Sequence, residues 1–321
     1  MASPTKVGRA KVGKNLGDAL TRLGHRVTFF DYDRAPVRYR VWPRALRARD
    51  WRERALDYVN GRALDAVRAV RPDVFLCVKG VQLRPETIRA IGRLGVTTVG
   101  YWIDDPLDHA RSLVNAPSYD RYFTNDAASV KRYRSEGVTR IQHLRSAADP
   151  DVFFPLPDAR DTVDVAFVGT HSPERERAVV SLQAFDTHVY GSAAWRTAPI
   201  DPARVHPGAF GARTNEVFNR ARINLNVHRW VGHGSAMNLR LFEVPAARGF
   251  LLTDWVAEIE GAYRPDEHVV CWRTPAELRA KVAYYLAHEY ERREIAARGH
   301  EHFLRHHTYA ARARELLGYL T

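Results

Sequence analysis

Along this chain the apolar positions switch between two periods. Unbroken apolar runs of about four to eight residues, which suit strands buried on both faces, alternate with stretches where apolar residues recur every three or four positions, as one helix face requires. The runs predict strands over residues 26–31, 73–79, 96–103, 119–124 and 140–144, and the periodic stretches predict helices over 8–23, 50–70, 85–95 and 127–136. Helix ends carry their own signals. Gly24, Gly95 and Gly137 suit left-handed C-caps, Pro85 suits a first turn, and Asp50 with Glu53 imitates a capping box. Strict alternation of strand and helix implies a parallel sheet with helices on both faces. A doubly wound sheet wants a strand before the helix at 8–23, and only residues 1–5 precede it.

Between residues 147 and 162 the periodicity stops in favour of three prolines and four aspartates, the composition of a linker. It divides an N-terminal domain, 1–155, from a C-terminal domain, 156–321. The second α/β run reads as strand 163–170, helix 174–183, strand 187–191, helix 213–221, strand 223–227, polar loop 228–235, a helix with Met237, Leu241 and Val244 on one face, and strand 250–253. A strand at 269–272 follows, then a helix launched by the capping box Thr274-Pro-Ala-Glu277 and two further helices over 290–305 and 309–320. Two Rossmann-like halves make an inter-domain cleft the expected site, because open α/β sheets take ligands outside the carboxyl ends of their strands. With Ser235 as N-cap, the loop containing Gly234 would offer free N–H groups and a positive dipole end to a phosphate. Glu243, two turns further in, would then meet the hydroxyls of a ribose.

Composition narrows the class. The 321 residues are 45% hydrophobic and 27% charged, and no apolar run approaches the ~20 residues of a membrane span. With no secretory leader in the opening residues, a cytoplasmic location is expected. Cys77 and Cys271 lie in apolar strand-like runs and read as buried thiols, neither a disulfide nor a metal pair. A net charge of +12 invites a nucleic-acid partner, yet only six of the 49 basic residues are lysines and the arginines spread along most helices. That distribution is a compositional bias rather than a binding stripe, so nucleic acid is not the expected partner. The densest cluster, residues 34–54 with Tyr39, Trp42 and Trp51 between the arginines, suits an acidic acceptor or a partner.

A longer string of residues then adds a family. Asp164-Val-Ala-Phe-Val-Gly-Thr170, Val189-Tyr-Gly191 with Trp195, Asn215-x-x-Phe-Asn-x-Ala221, Ile223-Asn-Leu-Asn-Val-His228, Asn238-Leu-Arg-Leu-Phe-Glu243, Gly249-Phe-Leu-Leu-Thr-Asp254 and His307-Thr-Tyr309 occur in this order. Together they resemble the CgeB-like (spore maturation protein type) GT-B glycosyltransferases, and Tyr101-Trp-Ile-Asp-Asp-Pro106 with Phe123-Thr-Asn-Asp126 extends the likeness into the N-terminal half. The resemblance implies a GT-B fold, a nucleoside-diphosphate-sugar donor held mainly by the C-terminal domain, an unidentified acceptor, and no separate cofactor. By position, Glu243 matches the glutamate that contacts the donor ribose in related enzymes. The partner glutamate of retaining enzymes is Ser235 here, which leaves the stereochemistry open. Gly169 and Thr170 would let the backbone approach the diphosphate, and Arg175 or Arg177 would supply its counter-charge. Gly191, His228, Arg229, Gly234, Met237, Asn238 and Leu239 complete the expected donor site.

Three residues are candidates for chemistry. Asp104 and Asp105 are adjacent on a strand, so their side chains diverge and do not suit joint metal binding. Either suits a base for the acceptor hydroxyl, although Asp105 alternatively caps a helix beginning at Pro106. His228 reads as a catalytic residue or as a satisfied loop histidine. Two other classes stay open at this level: a sugar-nucleotide-binding protein without transferase activity, which Ser235 suggests, and a basic nucleic-acid-binding or nucleic-acid-modifying protein, which the charge suggests.

Overall fold

The computed structural model describes Met1 and residues 11–32, 51–229 and 235–320. The chain forms two compact units, Met1–Arg145 with Arg312–Thr321, and Ser146–Ala311. The division falls at Arg145/Ser146 rather than at the expected 155/156, and the last helical turns, expected in the C-terminal domain, pack with the first unit.

In the first unit the described elements are α1 (Val12–Arg22), α2 (Trp51–Val70), β1 (Val74–Val78), α3 (Pro85–Gly92), β2 (Thr97–Trp102), α4 (His109–Leu113), β3 (Arg121–Thr124), α5 (Ala127–Ser135) and β4 (Ile141–His143). The strands pair in parallel in the order β1-β2-β3-β4. Phe75, Leu76, Cys77 and Val78 are all buried, so the continuous apolar run marks a strand covered on both faces. Val59, Val67, Ile88 and Ile91 from α2 and α3 supply part of that cover.

One expected strand is corrected. Residues 26–31 form no strand among the described residues; a single bridge falls at Phe30, whose N–H donates to Met1 O at 2.8 Å. Among the described residues Met1 meets this run at two positions, its amino group donating to Thr28 O at 2.6 Å as well as its carbonyl accepting from Phe30, and a strand needs such pairing along its whole length. The expected capping residue Asp50 lies outside the described residues, as do all of the arginine cluster at 34–54 except Arg52 and Arg54.

The second unit runs β5 (Val163–Gly169), α6 (Pro173–Val180), β6 (Thr187–Gly191), β7 (Val205–Pro207), α7 (Ala212–Arg220), β8 (Ala221–Asn226), α8 (Arg240–Ala246), β9 (Leu251–Asp254), β10 (Val270–Trp272), α9 (Pro275–Ala287) and α10 (Glu289–His306); α11 (Tyr309–Gly318) follows. Six parallel strands lie in the order β10-β9-β8-β5-β6-β7. The chain therefore builds outward from β5 to β7, then returns to lay β8 on the other side of β5. That reversal opens a crevice at the carboxyl ends of β5 and β8.

Alternation along β5 shows how the sheet is covered: Ala166 and Val168 face a cluster with Phe218, Leu241 and Phe242, while Val165 and Phe167 face one with Val179, Leu182 and Trp195. The capping box at Thr274 forms as its sequence requires. Glu277 N–H donates to Thr274 Oγ1 at 3.1 Å, and the Glu277 carboxylate accepts from Arg273 N–H at 2.9 Å. Both cysteines are buried free thiols, and burial pushes each up to about 12, so neither is a nucleophile near neutral pH.

Candidate active site

The end of β5 is shaped by a glycine, a tryptophan and an arginine. Trp195 is fully buried and donates its indole N–H to Gly169 O at 2.9 Å. Its ring fills the space beside Gly191, where a Cβ would come within 2.3 Å of both Trp195 and Gly169 O. Gly191 is thus required for close packing at two adjacent strand ends, β5 and β6. Gly191→Ala should displace the indole and cost about 1–3 kcal/mol, read as a lowered denaturation midpoint. An unchanged midpoint would mean that the Trp195 packing is not what the position serves.

Beyond Thr170 the chain turns into α6, whose N-cap is Ser172; its hydroxyl accepts from Arg175 N–H. The Arg175 side chain folds back under this turn. Nε donates to Val227 O at 2.9 Å, and Nη1 donates to Thr170 O and Thr170 Oγ1, each at 3.0 Å. The guanidinium consequently bridges the ends of β5 and β8, the two strands that flank the crevice. It is only 8% exposed, and among the described residues no carboxylate forms an ion pair with it. Burial, then the neighbouring charges of Arg229 and Arg240, pull it down to about 10. A cation at a helix start favours a nearby anion. Arg177 is corrected: its side chain is 72% exposed and pairs with Glu174, so of the two arginines only Arg175 reaches the strand ends.

The segment after β8 departs from expectation in its start. Ser235 does not cap a helix, because residues 235–238 are irregular and α8 begins at Arg240 with Leu239 in the N-cap position. Asn238 takes over locally. Its Oδ1 accepts from Arg240 N–H at 3.1 Å, and its amide donates to Asn226 Oδ1 at 2.8 Å, tying the helix start to the end of β8. Glu243 consequently lies in the first turn of α8 and not two turns in. It is 8% exposed and paired with Arg240, whose Nε donates to Val168 O at 3.0 Å. Met237 is buried in the core beside Phe242 and Leu241, which makes it packing rather than a ligand contact. Leu239 is half-buried, Arg229 is exposed, and Gly234 lies outside the described residues.

His228 is corrected from a ligand-touching role. It is fully buried, its N–H donates to both Asp254 oxygens at 3.1 and 3.0 Å, and Nδ1 lies 2.7 Å from Asp254 Oδ1. A carboxylate can only accept, so Nδ1 carries the proton and Asp254 fixes the ring. The pair joins the ends of β8 and β9. Asp254, like Arg240, escaped the sequence reading as a site residue, because nothing in spacing alone shows that two strand ends become neighbours.

In the first unit the adjacent aspartates part company. Asp104, at the carboxyl end of β2, is 38% exposed and lies 2.5 Å from Lys79 Nζ. Lys79 ends β1 in a left-handed conformation, φ 66°. Asp105 is fully buried: Thr124 Oγ1 donates to it at 2.5 Å, Asn125 Oδ1 accepts from its N–H, and His109 Nδ1 lies 3.5 Å away. That burial removes Asp105 from the catalytic candidates, and it does not cap a helix at Pro106 either, since α4 begins at His109 with Asp108 before it.

Burial raises Asp105 above the usual carboxylate range, with the Thr124 hydrogen bond opposing. Above the unfolded value and below the raised one, the folded chain holds a proton that the unfolded chain has released. Its contribution is therefore complete at low pH and lost as pH rises through the folded value. Asp105→Asn should flatten the stability profile over that window, measured by urea unfolding at a series of pH values. An unaltered profile would place the titration elsewhere.

Residues 175–318 match the family model described as glycosyl transferase-like. Sucrose-phosphate synthase from Thermosynechococcus elongatus superposes with a TM-score of 0.71 at 12% identity, covering 99% of this chain and 97% of that one. Anabaena HepE in complex with UDP-glucose gives 0.67 at 9% identity, over 99% and 98% of the two chains. A glycosyltransferase from Rickettsia africae gives 0.63 at 10% identity, over 99% and 96%. The protein has a GT-B glycosyltransferase fold. Among curated proteins no sequence matches it. The family match begins at Arg175, the residue that bridges the strand ends, spans β8, α8 and Asp254, and runs past the second unit into the helix that returns to the first. Among the described residues no helix is long and apolar enough to cross a membrane.

Proposed function

We propose that the protein is a metal-independent glycosyltransferase that moves a sugar from a nucleoside-diphosphate sugar to an unidentified acceptor, with the donor at the carboxyl ends of β5 and β8. The observation that carries this reading is the buried Arg175 guanidinium, held among the described residues by carbonyl and hydroxyl oxygens and beside the start of α6. A buried cation without a carboxylate is expensive unless a bound anion completes it. A diphosphate meets that need. Anabaena HepE, which shares the fold, was solved with UDP-glucose, which makes UDP sugars the first donors to try. Gly169 and Thr170 would lie under the phosphates, Asn238 and Glu243 beside the ribose or sugar, and His228 would act indirectly by locking Asp254.

In the reaction the acceptor oxygen bonds to the anomeric carbon, the bond from that carbon to the diphosphate oxygen breaks, and the acceptor proton leaves. Asp104 is the proposed recipient of that proton, being the exposed member of the aspartate pair at a strand's carboxyl end. Arg175 and the α6 start would stabilise the leaving diphosphate. Placement in the CgeB-like group rests on the motif string and a cytoplasmic location on composition; the acceptor is a small molecule, a glycan or a protein.

The testing experiment is a thermal-shift and calorimetric panel of UDP, GDP, ADP, dTDP and their sugars, since a ligand of the folded state must raise its stability. Binding of none would overturn the donor reading, while binding without sugar transfer or donor hydrolysis would favour a sugar-nucleotide-binding protein. Turnover should also survive EDTA, because guanidinium groups and backbone N–H groups supply the charge a cation would otherwise bring. Loss of activity restored by Mn²⁺ or Mg²⁺ would contradict this.

A further inference from the structure

Arg240 stands in two places at once. Its Nε donates to Val168 O at 3.0 Å, so the guanidinium reaches from the first turn of α8 to the end of β5, two residues before the carbonyl that Arg175 holds. Its Nη1 meets the Glu243 carboxylate, one turn along the same helix. The Phe218 ring lies 5.6 Å from the guanidinium and gives it an apolar floor. The side chains of the pair are 24% and 11% exposed, and its charge still lowers Arg175. Asn238 holds the Arg240 backbone to β8 through Asn226, so α8 starts clamped between the two strand ends that border the crevice.

Resting on the donor reading above, we propose that Arg240 and Glu243 are a charge-exchange pair: the ribose hydroxyls of the donor take Glu243, and the released guanidinium passes to the diphosphate. The physical reason is that neither partner loses its complement when a whole nucleotide enters. Hydroxyls donate to the carboxylate while phosphate oxygens accept from the arginine. A nucleoside alone must strip Glu243 of its cation with no anion to receive it. Pyrophosphate alone must draw Arg240 away and leave a mostly buried carboxylate uncompensated, which is costly. Diphosphate and ribose recognition are thereby coupled, and a coupling free energy is reciprocal.

The experiment is calorimetric titration of the full chain with the nucleoside diphosphate it binds best, its nucleoside, and inorganic pyrophosphate, in wild type, Arg240→Gln, Glu243→Gln and Arg240→Lys. Arg240→Gln should weaken the nucleoside diphosphate about 10- to 100-fold while leaving the nucleoside equal or tighter. Glu243→Gln should weaken the nucleoside diphosphate yet tighten pyrophosphate, because it frees the guanidinium. Arg240→Lys keeps the charge and should retain more nucleoside-diphosphate affinity than Arg240→Gln. A merely structural pair would lower affinity for all three ligands together, and that result overturns the proposal while the donor reading stands. If wild type binds no nucleoside diphosphate, the donor reading itself has failed. Should Arg240→Gln not fold, Glu243→Gln decides: unchanged or weaker pyrophosphate binding overturns the exchange.

Discussion

Arg175→Met should abolish most donor affinity, by about 10²–10³-fold, without lowering the stability of the fold. The affinity loss follows from removing charge-assisted hydrogen bonds to phosphate, each worth about 1.5–3 kcal/mol. The stability expectation has the opposite sign from that of most buried substitutions. Folding draws this guanidinium down to about 10 by burying it near Arg229 and Arg240, so the charged form is a cost to the ligand-free protein. Methionine fills a similar volume without that cost and leaves behind two carbonyl oxygens and the Thr170 hydroxyl, acceptors that tolerate the loss of a donor better than a buried donor tolerates the loss of an acceptor. Calorimetry with the nucleoside diphosphate and a urea melt on the same preparation measure both quantities. A fall in stability with affinity intact would make Arg175 a structural strut and remove the main support for the donor site.

A second large effect is expected at Asp104. Asp104→Asn should leave donor affinity within about twofold and lower turnover by about 10²–10⁴, the usual worth of a positioned general base. The side chain is nearly isosteric, and Lys79 keeps an oxygen to bind, so the fold of the β1–β2 edge should survive. Retained turnover, or a parallel loss of donor affinity, would remove Asp104 from the reaction. Asp105→Asn serves as the comparison, since its buried position predicts a change in stability and not in the chemical step.

Much of the architecture was legible because it rests on short-range rules. Continuous apolar runs marked β1, β5 and β9, since a strand covered on both faces has little polar side to show, while β8 alternates apolar residues with Asn224 and Asn226. Proline and glycine marked helix ends, and the Thr274 box formed as written. Failures came where a short element depends on its neighbours. β7 is only three residues long and carries too little pattern, while residues 26–31 carry the pattern and form, among the described residues, a single bridge. Ser235 is no cap because the chain stays irregular to Asn238, which the end of β8 holds through Asn226, and the helix starts only after Leu239.

The sequence by itself determined a parallel α/β chain whose second half resembles glycosyltransferases, and it placed Gly169, Thr170 and Arg175 at or near a strand end and Glu243 in a helix, because strand, turn and helix starts are local properties. Only tertiary structure decided which of these meet. Strand order brings β8 beside β5, so Arg175 reaches Val227 across 52 positions and Arg240 reaches Val168 across 72. It also separated Asp104 from Asp105 and buried His228 against Asp254. Burial and ion pairing depend on what the fold packs against each group, and no period or spacing along the chain encodes that.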